Sequence, residues 1–295
     1  MEKRMSFEIM REEVDGIVCH YLPEEDGAQK TVLRAMNYSI QAGGKRLRPM
    51  MMREVYRLFG GAGQEIEPFM AAIEMIHTSS LIHDDLPCMD NDRYRRGKLT
   101  AWAVYGEDMG TLAGDGLMIY AFETAAKALP MTDSPEKVLR CMEILARKTG
   151  VYGMIGGQTA DVELTGKKIP MDTLSFIYRL KTGALLEASM MIGAVMAGAS
   201  EENVRKVEQM AGDVGLAFQI EDDILDMTGT TEEIGKPSGS DERNEKTTWV
   251  TEKGLSASRA EAEKLSAEAL AILQELPGSN PFLEELIRKL VNRKK

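Results

Sequence analysis

Cysteine, aromatic residues, long apolar runs and positive charge are all in short supply in this sequence, and each shortage excludes something. The three cysteines, Cys19, Cys88 and Cys141, are odd in number and far apart. That leaves no disulfide framework and no paired-thiol zinc site, so they read as reduced thiols of a cytoplasmic protein. No run of about eighteen uncharged apolar residues occurs, and the first eight residues mix charges with no apolar stretch behind them. The sequence therefore predicts neither a membrane span nor an export signal. Lys and Arg number 36 against 47 Asp and Glu, a formal net charge of minus 11. A field of that sign repels nucleic acid and anionic lipid, and any phosphorylated ligand needs a local concentration of cations.

Alternation of Val, Ile, Thr and aromatics at the strand period is scarce as well; what is present is the helical period. Segments 66–82, 111–129, 137–149, 172–198, 202–227 and 257–276 carry apolar residues at three- and four-residue intervals. An apolar share of 43% is enough for a large core. Breaks at Pro23–Gly27, Gly60–Gly63, Pro130–Pro135, Thr165–Pro170 and Pro277–Pro281 are too brief to be interdomain linkers. We therefore expect one all-α domain over residues 1–295. The exception is Thr228–Lys246, a tract of Gly, Ser, Thr, Pro and charge. A loop of that length inside a domain reads as functional, here as a mobile lid.

Two acidic clusters each close an apolar segment. The first is Asp84-Asp85-Leu-Pro-Cys-Met-Asp90; the second is Asp222-Asp223-Ile-Leu-Asp226. Asp222 and Asp226 are four apart and share a helix face, about 40° from one another, with Asp223 turned away. Asp84 and Asp90 are six apart, about 240° around a continuous helix, and would diverge. Pro87 changes this, because it disfavours helix at Leu86 and lets the following loop swing Asp90 back beside Asp84. Two carboxylates 4 Å apart repel by about 4 kcal/mol at an effective dielectric near 20 unless a cation or proton intervenes. Oxygen-only ligands suit a hard cation. Magnesium fits best, since it takes one or two carboxylates and completes its shell with water and substrate phosphate oxygens.

Basic groups interleave with these clusters. Gly43-Gly44-Lys45-Arg46-Leu47-Arg48 is a glycine turn opening onto cations, Arg95-Arg96-Gly97-Lys98 follows the first acidic cluster, and Lys181-Thr182-Gly183 lies within a long apolar helix. Lys236 and Lys246 belong to the lid tract. Arginine forks and ammonium groups match diphosphate oxygens and supply the local remedy the net charge demands. Carboxylates for metal alternating with cations describe a site for two anionic substrates, one held through metal and one through protein cations. Gly183 costs about 1 kcal/mol inside a helix and marks a kink or a close approach; a kink would let oxygens near Lys181, Thr182 and Gln219 face a developing carbocation. His77, two turns before Asp84, shares its face and is a candidate phosphate donor. The 21 methionines read mainly as core packing.

In this order, Gly-Gly-Lys-Arg-Leu-Arg-Pro, Leu-Ile-His-Asp-Asp-Leu-Pro-Cys-Met-Asp, Arg-Arg-Gly-Lys, Lys-Thr-Gly, Phe-Gln-Ile-Glu-Asp-Asp-Ile-Leu-Asp and Gly-Lys-Pro-Ser-Gly-Ser-Asp resemble the trans-isoprenyl diphosphate synthases of the bacterial farnesyl and geranylgeranyl type. The resemblance spans residues 30 to 260 or so. It implies a homodimeric, all-α isoprenoid synthase fold, a helical bundle around a central cavity, with the two aspartate motifs facing each other across three magnesium ions. By motif position, Asp84, Asp90 and Asp222 would bind the ions, with Asp85 and Asp226 as further or water-mediated ligands. Arg95, Lys181 and Lys236 would hold the allylic diphosphate and Lys246 would assist. Lys45, Arg48, His77 and Arg96 would hold isopentenyl diphosphate without metal, and Thr182 and Gln219 would stabilise the allylic cation.

The rival readings are a class I terpene cyclase, which seldom carries both motifs, and a non-catalytic subunit, which commonly loses one. This chain departs from the family at Arg93, where an acid is usual, at Leu99 for proline, and at Ala101-Trp102 for Asn-His. In the family an aromatic residue five positions before the first aspartate floors the product tunnel at fifteen carbons. Here that residue is Ser79, which implies a geranylgeranyl product, with Tyr120 or Phe122 as the alternative floor for a farnesyl one.

Overall fold

The periodic segments fold as helices, and nearly everything between them is turn. The computed structural model describes residues 7–228 and 247–291. In chain order the elements are α1 (Phe7–His20), α2 (Lys30–Gln41), α3 (Leu47–Leu58), α4 (Glu67–Asp84), β1 (Tyr94–Arg95), β2 (Lys98–Leu99), α5 (Ala101–Tyr105) and α6 (Glu107–Ala126). They continue with α7 (Pro135–Thr149), α8 (Met154–Leu164), α9 (Met171–Tyr178), a π-helical turn (Arg179–Gly183), α10 (Ala184–Met196), α11 (Glu201–Thr228), α12 (Trp249–Lys253), α13 (Leu255–Glu275) and α14 (Pro281–Val291). No described helix is long and apolar enough to cross a membrane.

The chain gathers into two compact units, Met1–Arg53 with Ala62–Met142, and Glu54–Gly61 with Glu143–Lys295. In the first, α4 is buried on every side from Pro68 to Ile76. A helix apolar all round belongs in an interior, and α4 packs chiefly on α6, with α1 and α2 also against it. Each fully buried Ile73, Ile76 or Phe69 contributes about 1.5–3 kcal/mol. Gly114 lets α6 come close, since a Cβ there would collide with the His83 imidazole. After α4 the chain makes a small antiparallel hairpin, Tyr94 opposite Leu99 and Arg95 opposite Lys98. Its turn residues Arg96 and Gly97 have φ of 55° and 76°, the left-handed pair of a tight primed turn. The sequence showed this segment only as a run of cations.

In the second unit α11, about 42 Å long at 28 residues, packs on α13, α10 and the π-helical turn. Small residues set the spacing: a Cβ on Gly215 would lie 2.8 Å from Gly183 Cα. Of the kink or close approach expected at Gly183, the structure shows the close approach. The single periodic segment expected over 172–198 is α9, a π turn and α10. Of the expected lid, only Thr228, the last residue of α11, is described; residues 229–246, Lys236 and Lys246 among them, lie outside the described residues.

Candidate active site

The first acidic cluster sits where α4 ends. Asp84 is its last residue and Asp85 its C-cap. Beyond them the chain curls back, so that the Asp90 N–H donates to the Asp84 carbonyl at 2.8 Å and the Asn91 N–H to that of Leu86 at 3.1 Å. The return that Pro87 predicts therefore takes place. Asp90 is exposed and Asp84 half-buried. Asp85 differs: it is buried, and Arg95 donates to it through Nε at 2.8 Å and Nη2 at 2.6 Å. Burial pushes the Asp85 carboxyl up, opposed by the Arg95 fork. Asp85 and Arg95 were both candidates for direct ligand contact, and here each is engaged with the other.

Beside this cluster lies the cation loop. Gly43, Gly44 and Arg46 have φ of 86°, 152° and 50°, a left-handed path that glycine follows without strain. Its Lys45 is exposed. Arg48 keeps a buried Nε with no hydrogen-bond partner among the described residues, an unfilled donor that an anionic oxygen fits. Arg96 donates to the Gly43 carbonyl, and a Cβ on Gly44 would lie 2.9 Å from its guanidinium carbon. The His77 imidazole is pushed well below its ordinary pKa by burial and then by Arg48, Arg96, Arg95 and Arg46. It is neutral at pH 7 and adds a hydrogen-bonding ring among charged guanidinium groups.

The second acidic cluster and the Lys-Thr-Gly segment share the other unit. The Thr182 hydroxyl donates to Gln219 Oε1 at 2.7 Å, so two residues 37 apart that the sequence assigned to one role do meet. Lys181, on the π turn, pairs with Asp161 of α8 at 2.6 Å. Gly157 allows that approach, because a Cβ there would lie 2.8 Å from the Leu180 carbonyl carbon. Asp222 is half-buried and Asp226 is buried. Asp223, expected to turn away, does so: it accepts from the Tyr178 hydroxyl at 2.7 Å and the Trp249 N–H at 2.8 Å, fixing the start of α12.

Sequence reasoning passed over Asp161 and Glu74. The signal for Asp161 was the Gly157–Asp161 spacing of four, one helix face facing Lys181; Glu74, one turn before His77 on α4, carried no sequence signal. At the departures, the Arg93 guanidinium lies over the Trp102 ring at 5.2 Å and Trp102 Nε1 donates to the Asp92 carbonyl at 2.9 Å. The two unusual residues therefore satisfy one another. Ser79 is fully buried and donates to the Ile76 carbonyl at 2.8 Å. Tyr120 is tied to Lys127 by a solvent-exposed bond of 3.2 Å.

Among the described residues no three Asp, Glu, His or Cys side chains converge to hold a metal by themselves. A cation at Asp84 and Asp90 would draw further ligands from water and substrate. That is the habit of magnesium, which keeps waters and takes substrate phosphate oxygens. The residues present fit it.

An all-helical chain carrying two carboxylate clusters and a group of guanidinium side chains fits an enzyme of prenyl diphosphate chemistry with the isoprenoid synthase fold. The chain belongs to the polyprenyl synthetase family, whose model matches residues 29–277. It is 45% identical to the farnesyl diphosphate synthase of Geobacillus stearothermophilus over 81% of its own length and 80% of that protein's. To a chloroplastic geranylgeranyl pyrophosphate synthase of Arabidopsis thaliana it is 46% identical, over 81% and 67% of the two lengths. A Helicobacter pylori geranyltransferase solved with magnesium and isoprenyl diphosphate aligns with a TM-score of 0.84 and 32% identity, over 97% of this chain and 95% of that one.

Proposed function

We propose that this short-chain trans-prenyltransferase condenses isopentenyl diphosphate with dimethylallyl, geranyl and farnesyl diphosphates. The observation that carries the reading is the return of Asp90 onto Asp84 beside Arg48, His77 and Arg96. It joins oxygen ligands for a hard cation to a grip for a second diphosphate. In this reading Asp84, Asp90 and Asp222 hold magnesium, three ions in all, with Asp226 supporting them. Asp85 belongs to the same cluster and orients Arg95. When bound, magnesium supplies the positive charge that stabilises the departing diphosphate.

Lys181 and Arg95 bind the allylic diphosphate, joined by Lys236 and Lys246 of the expected lid. Lys45, Arg48 and Arg96 bind isopentenyl diphosphate as a polyanion, and neutral His77 hydrogen-bonds an oxygen without adding to their mutual repulsion. Thr182 and Gln219 turn their oxygens toward the allylic cation once the C–O bond breaks, lowering its energy as an oxyanion hole does for the opposite charge. The isopentenyl double bond attacks that cation, and the released pyrophosphate takes the proton.

The match runs without a break across both units, which supports reading residues 1–295 as one polyprenyl synthase domain. Three free cysteines support a reducing, cytoplasmic setting. The small buried Ser79 supports growth to geranylgeranyl diphosphate. Incubating the purified chain with isopentenyl diphosphate and each primer tests the reading. We expect linear products with magnesium and none with chelator. Asp84→Ala should lower turnover by about 10²–10³-fold or more with unchanged helical circular dichroism; near-normal turnover would refute the assignment.

A further inference from the structure

Arg46 stands between two of the proposed diphosphate ligands in the sequence, yet it cannot touch substrate, because its side chain is wholly buried. Each of its three nitrogens is engaged within the protein instead. Nε donates to Asp15 of α1 at 2.7 Å, Nη1 to Glu74 of α4 at 2.8 Å, and Nη2 to the Ile40 carbonyl near the end of α2 at 2.6 Å. One guanidinium thus fastens three helices. Its backbone has φ of 50°, which a residue with a Cβ adopts only where its surroundings impose it.

What Arg46 fastens is the loop that carries the cations. Its carbonyl accepts from the Met50 N–H at 3.1 Å, starting α3, on whose first turn Arg48 lies. Three residues back, the Gly43 carbonyl accepts from Arg96. Burial lowers the proton affinity of Arg48 and Arg96, and Glu74, one helical turn from His77, opposes that loss with its negative charge. A buried ion pair is a poor device for stability alone, since desolvation offsets most of its attraction. Its fixed fork is a good device for geometry.

Building on the isopentenyl diphosphate pocket proposed above, we infer that Arg46, held by Asp15 and Glu74, is the positioning residue of that pocket, and that α1 reaches substrate affinity through Asp15. Asp15 is the sharper probe, because its side chain is 40% exposed and an ordinary surface Asp→Asn change is close to silent.

The test is two-substrate steady-state kinetics on Asp15→Asn, Asp15→Glu, Arg46→Lys and Arg48→Ala. The KM for isopentenyl diphosphate should rise about three- to tenfold in Asp15→Asn and about tenfold or more in Arg46→Lys, while kcat and the KM for the allylic primer move by less than about twofold. Asp15→Glu should restore most of the loss. An unchanged KM for isopentenyl diphosphate in Asp15→Asn, or an equal rise for both substrates, overturns the inference. If Arg46→Lys loses helical circular dichroism, Asp15→Asn decides alone. Arg48→Ala separates the two levels. Should it leave that KM unchanged, the pocket itself is misassigned; should it raise the KM while Asp15→Asn does not, only the positioning role falls.

Discussion

We propose that Ser79 leaves room for a long product tail. Its side chain is fully buried and bonded back to the Ile76 carbonyl, so it adds almost no volume beyond the helix backbone. A phenol at the same place has to fill space between α4 and its neighbours. Tyr120, which with Phe122 is an alternative floor, is tied to Lys127 by an exposed hydrogen bond and a cation–π contact at 5.1 Å, an arrangement that holds its ring toward the surface. Ser79→Tyr is therefore expected to lower the ratio of twenty- to fifteen-carbon product by about tenfold or more, equivalent to about 1.4 kcal/mol of discrimination against the longer tail. Product chromatography with a farnesyl diphosphate primer measures it. An unchanged ratio would place the floor elsewhere.

At the scale of elements, the π-helical turn at Arg179–Gly183 is what sets Lys181 and Thr182 in position. Such turns are rare and recur at functional sites. Here two close approaches explain it: Gly157 of α8 meets the Leu180–Lys181 backbone, and Gly215 of α11 meets Gly183. Neither gap holds a methyl group. In Gly157→Ala the obstacle is backbone, which has little freedom to move aside, so α8 must shift relative to the turn. We expect about 1–3 kcal/mol of destabilisation. A misplacement near 1 Å of Lys181 and Thr182 should also lower kcat by about 100-fold. Thermal unfolding and single-turnover kinetics read the two effects separately, and wild-type values in both would show the packing to be slack.

At the scale of the whole molecule, association is the open variable. Leu112 and Ile119 are 50% and 72% exposed and stand seven residues apart on one face of α6, a repeat of two turns. We propose that this face meets a second copy of the chain. Removing two large side chains from water would contribute about 1.5–3 kcal/mol each. A glutamate in that interface repels its symmetry mate, so Leu112→Glu/Ile119→Glu should convert a dimer to a monomer in size-exclusion chromatography with light scattering. A dimer that survives the change would assign the contact to another surface.

What the sequence determined by itself was everything that follows from period and local stereochemistry. Helical spacing established an all-α chain, Pro87 turned Asp90 back to Asp84, and a spacing of four separated Asp223 from Asp222 and Asp226. These rest on bond geometry within a few residues, which sequence carries directly. Tertiary structure alone decided which charges are spoken for. Asp85 belongs to Arg95, Lys181 to Asp161, Arg46 to Asp15 and Glu74, and Arg96 sits left-handed in a two-residue hairpin turn. Three of these pairings join residues 20 or more positions apart, and which partner a buried charge takes depends on which helix faces the packing of glycines and apolar side chains brings together.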